Sequence, residues 1–140
     1  MTEERKEALL RKANEGEAFL GHNGIRFVEL DDGVAVAKLT LQPVVMNTWG
    51  VPHGGALFTM ADVACGIAAL TVRYESLVTL NASIDFMDGA CPDGEVTAVA
   101  KVERMGGKTC FCSSEVFDCK GKRIAKLSAV MYYTGVKLDW

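Results

Sequence analysis

The sequence predicts an α+β fold in which an antiparallel sheet wraps one long, buried helix. Three observations carry this. From Gly54 to Val72 the chain is apolar on nearly every helical face, with Asp62 as its one charge and no proline; a helix apolar all round belongs inside a protein. Val78 to Met87, VTLNASIDFM, is the cleanest two-residue alternation in the chain, the period of a strand with one covered face. Hairpin signals at Asp31-Asp32-Gly33, Met105-Gly106-Gly107-Lys108 and Asp118-Cys119-Lys120-Gly121 join successive apolar runs, which makes the joined strands antiparallel. A sheet of this kind with one apolar helix must close over it.

The elements follow in order. Residues 3–20 are expected to form a surface helix. Thr2 is its cap, Glu3 and Glu4 suit its first turn, and Ala8, Leu9, Ala13 and Phe19 form a narrow apolar stripe. Gly21 to Gly24 end it. Ile25–Leu30 and Val34–Leu41 are the first two strands, and Pro43 opens a loop into the central segment. After the helix, Val78, Leu80, Ala82, Ile84 and Phe86 should face it, leaving Thr79, Asn81, Ser83 and Asp85 on the other face. Glu95–Glu103, Thr109–Phe117 and Arg123–Thr134 complete the strands. No repeat or linker interrupts the 140 residues, so one domain over 1–140 is expected.

Composition narrows the function. A hydrophobic fraction of 49% and a charged fraction of 24% are those of a globular protein. A net charge of −3 without a basic run argues against nucleic acid as a partner. The charged N-terminus is not a signal peptide, and the long apolar segment carries Asp62, Gly54, Gly55 and Gly66, so no membrane span is expected. Five cysteines, an odd number without a CxxC, read as reduced and mostly buried thiols of a cytoplasmic protein. With two histidines, neither spaced from a cysteine pair as a ligand, no metal is expected.

The site is expected in Asn47–Gly66. A carboxylate on a buried helix costs energy unless paired, and burial tunes such a group for acid–base work, so Asp62 leads; helix propensity does not explain an Asp there. Gly54 and Gly55 let a ligand approach the first-turn N–H groups, where the helix dipole favours negative charge. Singly, His53 reads as a turn-closing residue and Asn47 as a loop residue bonding its own backbone; together with Asp62 they form a constellation. Thr79 is the strand residue expected nearest the site. Arg104 and Lys108, by a hairpin tip, are candidate charges for a ligand phosphate, although a solvated turn is the plainer reading. Gly107-Lys108-Thr109 is not a phosphate loop, because Val102 stands where glycine is needed and a strand follows. Gly55 and Asp62 are separated by roughly 10 Å along the helix axis. One carbonyl cannot bond both, so either they do different jobs or the site is shared across a two-fold dimer.

These residues resemble a known family. Asn47, then His53-Gly54-Gly55, then Asp62 resembles the signature of hotdog-fold acyl-CoA thioesterases of the phenylacetic-acid-degradation (PaaI-like) type, the branch that takes in thioesterase superfamily member 2. Phe19-Leu20-Gly21, Gly24-Ile25, LNASIDFM and Gly106-Gly107-Lys108-Thr109 extend the resemblance, with Lys108 where the family commonly has Arg. The resemblance implies a hotdog fold, homodimers and often homotetramers as dimers of dimers, and sites shared between chains. It implies Asp62 as general base or nucleophile and Gly55 N–H polarising the thioester carbonyl. His53 and Asn47 would position substrate or water, and Thr79 would help hold the attacking water. The substrate would be an acyl-CoA thioester, with no metal or prosthetic group. Two rivals stay open: a hotdog hydratase or dehydratase, which wants a histidine at the reacting carbon, and a non-catalytic acyl-CoA-binding module, which needs no buried Asp.

Overall fold

The computed structural model describes residues 1–140. Its elements are helices α1 (Glu3–Glu15), α2 (Ala18–His22) and α3 (Gly54–Val72), and strands β1 (Ile25–Asp31), β2 (Val34–Thr40), β3 (Glu75–Phe86), β4 (Glu95–Met105), β5 (Thr109–Phe117) and β6 (Arg123–Lys137). A short 3-10 turn, Pro43–Val45, leads into α3. The strands form one antiparallel sheet in the order β1-β2-β4-β5-β6-β3. This is the hotdog arrangement, with α3 as the filling.

Small residues set how α3 seats. Ala61, Ala64, Ala68 and Ala69 of the helix are fully buried in one core with Ala35 and Ala37 of β2 and Ala98 and Ala100 of β4. Alanine on both sides lets backbone approach backbone closely. Cys65 of α3 and Cys110 and Cys112 of β5 continue the core as buried free thiols; Cys91 is half-buried and Cys119 exposed. By length and a mean hydropathy of 1.7, α3 is apolar enough to cross a membrane; its packing against β2, β4, β5 and β6 as the core helix accounts for that composition.

The C-terminal end of α3 is tied to two hairpins. Gly33 N–H donates to Thr71 Oγ1 at 2.8 Å. Arg73 donates to the carbonyls of Gly107 and Gly106 at 2.8 and 3.2 Å and lies over the Tyr133 ring.

Three expectations need correction. The N-terminal helix is not continuous over 3–20: Gly16 caps α1, its N–H donating to Lys12 O at 2.7 Å, and α2 restarts at Ala18. A Cβ at Gly16 would stand 2.5 Å from that carbonyl, so the close cap needs glycine. Phe19 is consequently 63% exposed, and Leu20 takes the buried place. The alternation of β3 also changes phase. A register shift between Thr79 and Asn81 makes Leu80 the extra residue of a bulge, which swaps the faces of a strand. Ala82 and Ile84 lie on the inner side as expected, but beyond the bulge Leu77 and Thr79 take that side, opposite Tyr133 and Met131. Val78 and Leu80 are left exposed. Finally, β4 and β6 run two and three residues past their expected ends, to Met105 and Lys137.

Candidate active site

The bulge of β3 builds the first half of the site. It turns Thr79 toward α3, where its Oγ1 donates to Asp62 Oδ1 at 2.9 Å. Asp62 is half-buried rather than sealed within the chain. Burial raises its carboxyl above the ordinary carboxylate range, and the Thr79 hydrogen bond pulls the other way. The pair lines a cavity of about 430 Å³ between α3, β3 and the α1–α2 segment. The expected unpaired acid is thus a carboxylate held by one hydroxyl.

The second half is the start of α3. His53 is its N-cap, extended in backbone, and His53 Nδ1 accepts the Gly55 N–H at 2.8 Å. His53 therefore does close the turn, and its ring proton sits on Nε2. Ala56 and Leu57 donate to His53 O at 3.0 and 3.1 Å. Gly54 is packed tightly: a Cβ there would meet the Phe86 ring at 3.2 Å. Asn47 Oδ1 accepts the N–H groups of Trp49 and Val51 at 2.9 and 3.2 Å, fixing the loop that delivers His53.

Within one chain the halves do not meet. His53 and Gly55 line a separate cavity of about 250 Å³, walled by Phe19, Val44 and Thr59, that shares no lining residue with the Asp62 cavity. Arg104 and Lys108 are exposed and join neither half. Arg73 anchors their hairpin at the far end of α3, roughly 27 Å along the helix from Gly55.

Sequence reasoning missed the walls of the Asp62 cavity: Leu20 and Phe27, the helix residue Gly66, and Trp140 from the C-terminal tail. One signal was available for Gly66, a lone glycine in the interior of an alanine-rich helix.

Comparison with known proteins follows the same lines. The family described as the thioesterase superfamily matches residues 50–125, the stretch from just before α3 into β6. The acyl-coenzyme A thioesterase PaaI of Escherichia coli strain K12 is 28% identical over 102 residues, covering 73% of this chain and 72% of that one. The structure of the E. coli PaaI protein, from the phenylacetic acid degradation operon, superposes with a TM-score of 0.82 at 27% identity, covering 88% of each chain. A conserved protein of Pseudomonas aeruginosa is 33% identical with a TM-score of 0.79, covering 84% of this chain and 94% of that one.

Proposed function

This chain belongs to the thioesterase superfamily, and from that membership we propose that it is an acyl-CoA thioesterase whose working site is shared between two chains. The observation that carries the reading is the Asp62–Thr79 pair: a half-buried carboxylate, raised by burial, held by a hydroxyl beside an apolar cavity. The relatedness to the acyl-coenzyme A thioesterase PaaI supplies the substrate class.

The reaction adds water across the C–S bond of an acyl-CoA, giving a free acid and coenzyme A. The thioester carbonyl oxygen accepts the Gly55 N–H of one chain. In the free chain His53 Nδ1 holds that N–H, so the carbonyl displaces the imidazole, which then positions the substrate. Charge developing on this oxygen is stabilised by the N–H and the helix start. Asp62 of the other chain acts as general base on a water held with Thr79, or attacks the carbonyl carbon itself. As base, Asp62 takes the water proton and passes it to the thiolate as the C–S bond breaks. As nucleophile, it displaces the thiolate to form an acyl anhydride, which a water then hydrolyses, restoring the carboxylate and supplying the proton that the thiolate takes. Asn47 keeps its side-chain NH₂ for substrate while its oxygen orders the loop. Coenzyme A enters only as part of the substrate, and no metal is invoked. The place of His53 beside the Gly54-Gly55 helix start suits carbonyl polarisation better than hydration, which needs a histidine at the reacting carbon.

Pairing of two chains follows from the sheet. β3 is bonded on one side only, to β6, so its other edge is open along 12 residues and carries exposed Val78 and Leu80. A long apolar edge of this kind is a pairing surface. Two-fold pairing there sets the α3 helices antiparallel. Each Asp62 then approaches the partner's helix start, and each Lys108–Arg104 hairpin moves toward the partner's His53 end, where coenzyme A phosphates would lie. A homotetramer of two such dimers and a cytoplasmic location, suited to free Cys65, Cys110 and Cys112, complete the proposal.

The direct test is a panel of acyl-CoA thioesters with a thiol-reactive dye. Release of free thiol from at least one member, at catalytic enzyme concentration, is expected. Tight binding of acyl-CoAs with no thiol released would leave a binding module in its place.

A further inference from the structure

Gly66 lies one helical turn beyond Asp62, on the same face of α3, and lines the same cavity. Glycine is the poorest helix-interior residue apart from proline. Nothing in the packing requires it here. A Cβ at Gly66 meets only Leu77 Cδ1, at 3.7 Å, an ordinary contact, and its backbone is helical. Gly54 differs, because there the Phe86 ring occupies the space of a side chain. The buried side of α3 uses alanine at Ala61, Ala64, Ala68 and Ala69, so the helix accepts alanine readily. What the missing methyl of Gly66 leaves is room beside the carboxylate. Val63, Ile67 and Leu70 line the same cavity at helical spacing and make that room apolar. Its volume, about 430 Å³, falls in the range of sites that enclose organic groups rather than a two-carbon unit.

We infer that Gly66 is a specificity-determining residue: it gives up helix stability to keep the Asp62 cavity open for the acyl group of the thioester, an apolar acyl group of medium-chain or arylalkyl size rather than acetyl. Such exchange of stability for function is common at binding sites. The inference rests on the thioesterase reading for its chemistry, but not for the cavity.

The experiment uses the full chain with Gly66→Ala and Gly66→Leu and three readouts: thermal midpoint, kcat/KM for octanoyl-CoA against acetyl-CoA, and calorimetric binding of the non-hydrolysable thioethers S-octyl-CoA and S-methyl-CoA. Gly66→Ala should raise Tm by roughly 2–4 °C. It should lower the octanoyl-to-acetyl ratio by about fourfold, the worth of one displaced methylene, and weaken S-octyl-CoA by a similar factor with S-methyl-CoA unchanged. Gly66→Leu should lower the ratio by more than tenfold, and Gly66→Ala decides the matter if the larger variant does not fold. Unchanged ratios and unchanged S-octyl-CoA binding in folded Gly66→Ala would overturn the inference, as would a fall in its Tm. A wild-type chain that bound S-octyl-CoA but hydrolysed no acyl-CoA would instead overturn the hydrolase reading, and thioether binding by the variants would still decide the role of Gly66.

Discussion

Thr79 Oγ1 lies 2.9 Å from Asp62 Oδ1, and the hydrogen bond joins the edge strand β3 to the middle of α3. It exists because β3 changes phase at Leu80. With unbroken alternation Thr79 would face away and Asp62 would stand alone.

Asp62→Asn keeps the shape and the acceptor for Thr79 but removes the base or nucleophile. Steady-state kinetics on the best acyl-CoA should show kcat lower by roughly 10²–10⁴-fold with KM little changed. The variant should also be no less stable than wild type at neutral pH. Burial holds the Asp62 carboxyl above its ordinary range, so the unfolded chain ionises first as pH rises, and ionisation of Asp62 then costs the folded state stability. Wild-type turnover by folded Asp62→Asn would remove Asp62 from the mechanism.

The pH profile tests the partner. In the proposed mechanism Asp62 works as the carboxylate, so kcat should be lost as pH falls through its raised pKa. Thr79 stabilises that carboxylate and lowers the value. Thr79→Val should therefore move the acid limb of the kcat profile to higher pH, as well as slowing the reaction. A limb that stayed in place would mean that Thr79 does not tune Asp62.

Gly55→Pro deletes the N–H that His53 now accepts and the substrate is proposed to take. Loss of one such donor typically costs about 10²–10³ in kcat. Far-UV dichroism must first show that α3 is intact; a folded variant with full activity would assign the carbonyl to another donor.

Away from the site, Ser114 Oγ is completely buried with no hydrogen-bond partner, on β5 between Ala100 and Leu127. An unsatisfied buried hydroxyl costs about 1–3 kcal/mol. Ser114→Ala should stabilise the protein by about 1 kcal/mol in urea unfolding, with activity unchanged. Destabilisation would reveal a partner for the hydroxyl.

The sequence made most of the architecture legible, because period and punctuation are local. The apolar run at 54–72 gave α3 to its ends, and glycine-containing turns gave the hairpins. The bulge at Leu80 was illegible, since it depends on pairing with β6 rather than on the composition of β3. The break at Gly16 depends likewise on how α1 docks: Asn14 bonds both the N–H and the carbonyl of Phe27, fixing the helix on β1 just before its end. At the site, Asp62, Thr79, His53 and Gly55 were visible as residue types, but the bond between His53 and Gly55 and the separation of the two cavities were not. The separation did follow in outline from helix rise alone.

The shared site is the central claim, and subunit mixing tests it most directly. Asp62→Asn and Gly55→Pro chains are each refolded alone and then together in equal amounts, with one chain tagged so that native mass spectrometry counts heterodimers. If each site takes Asp62 from one chain and Gly55 from the other, a mixed dimer carries one site with both defects and one with none. About half the dimers should be mixed, and activity should return to about a quarter of wild type. Heterodimers that form in that proportion yet stay as inactive as either parent would contradict the account, because a site confined to one chain leaves every site in the mixture with a defect.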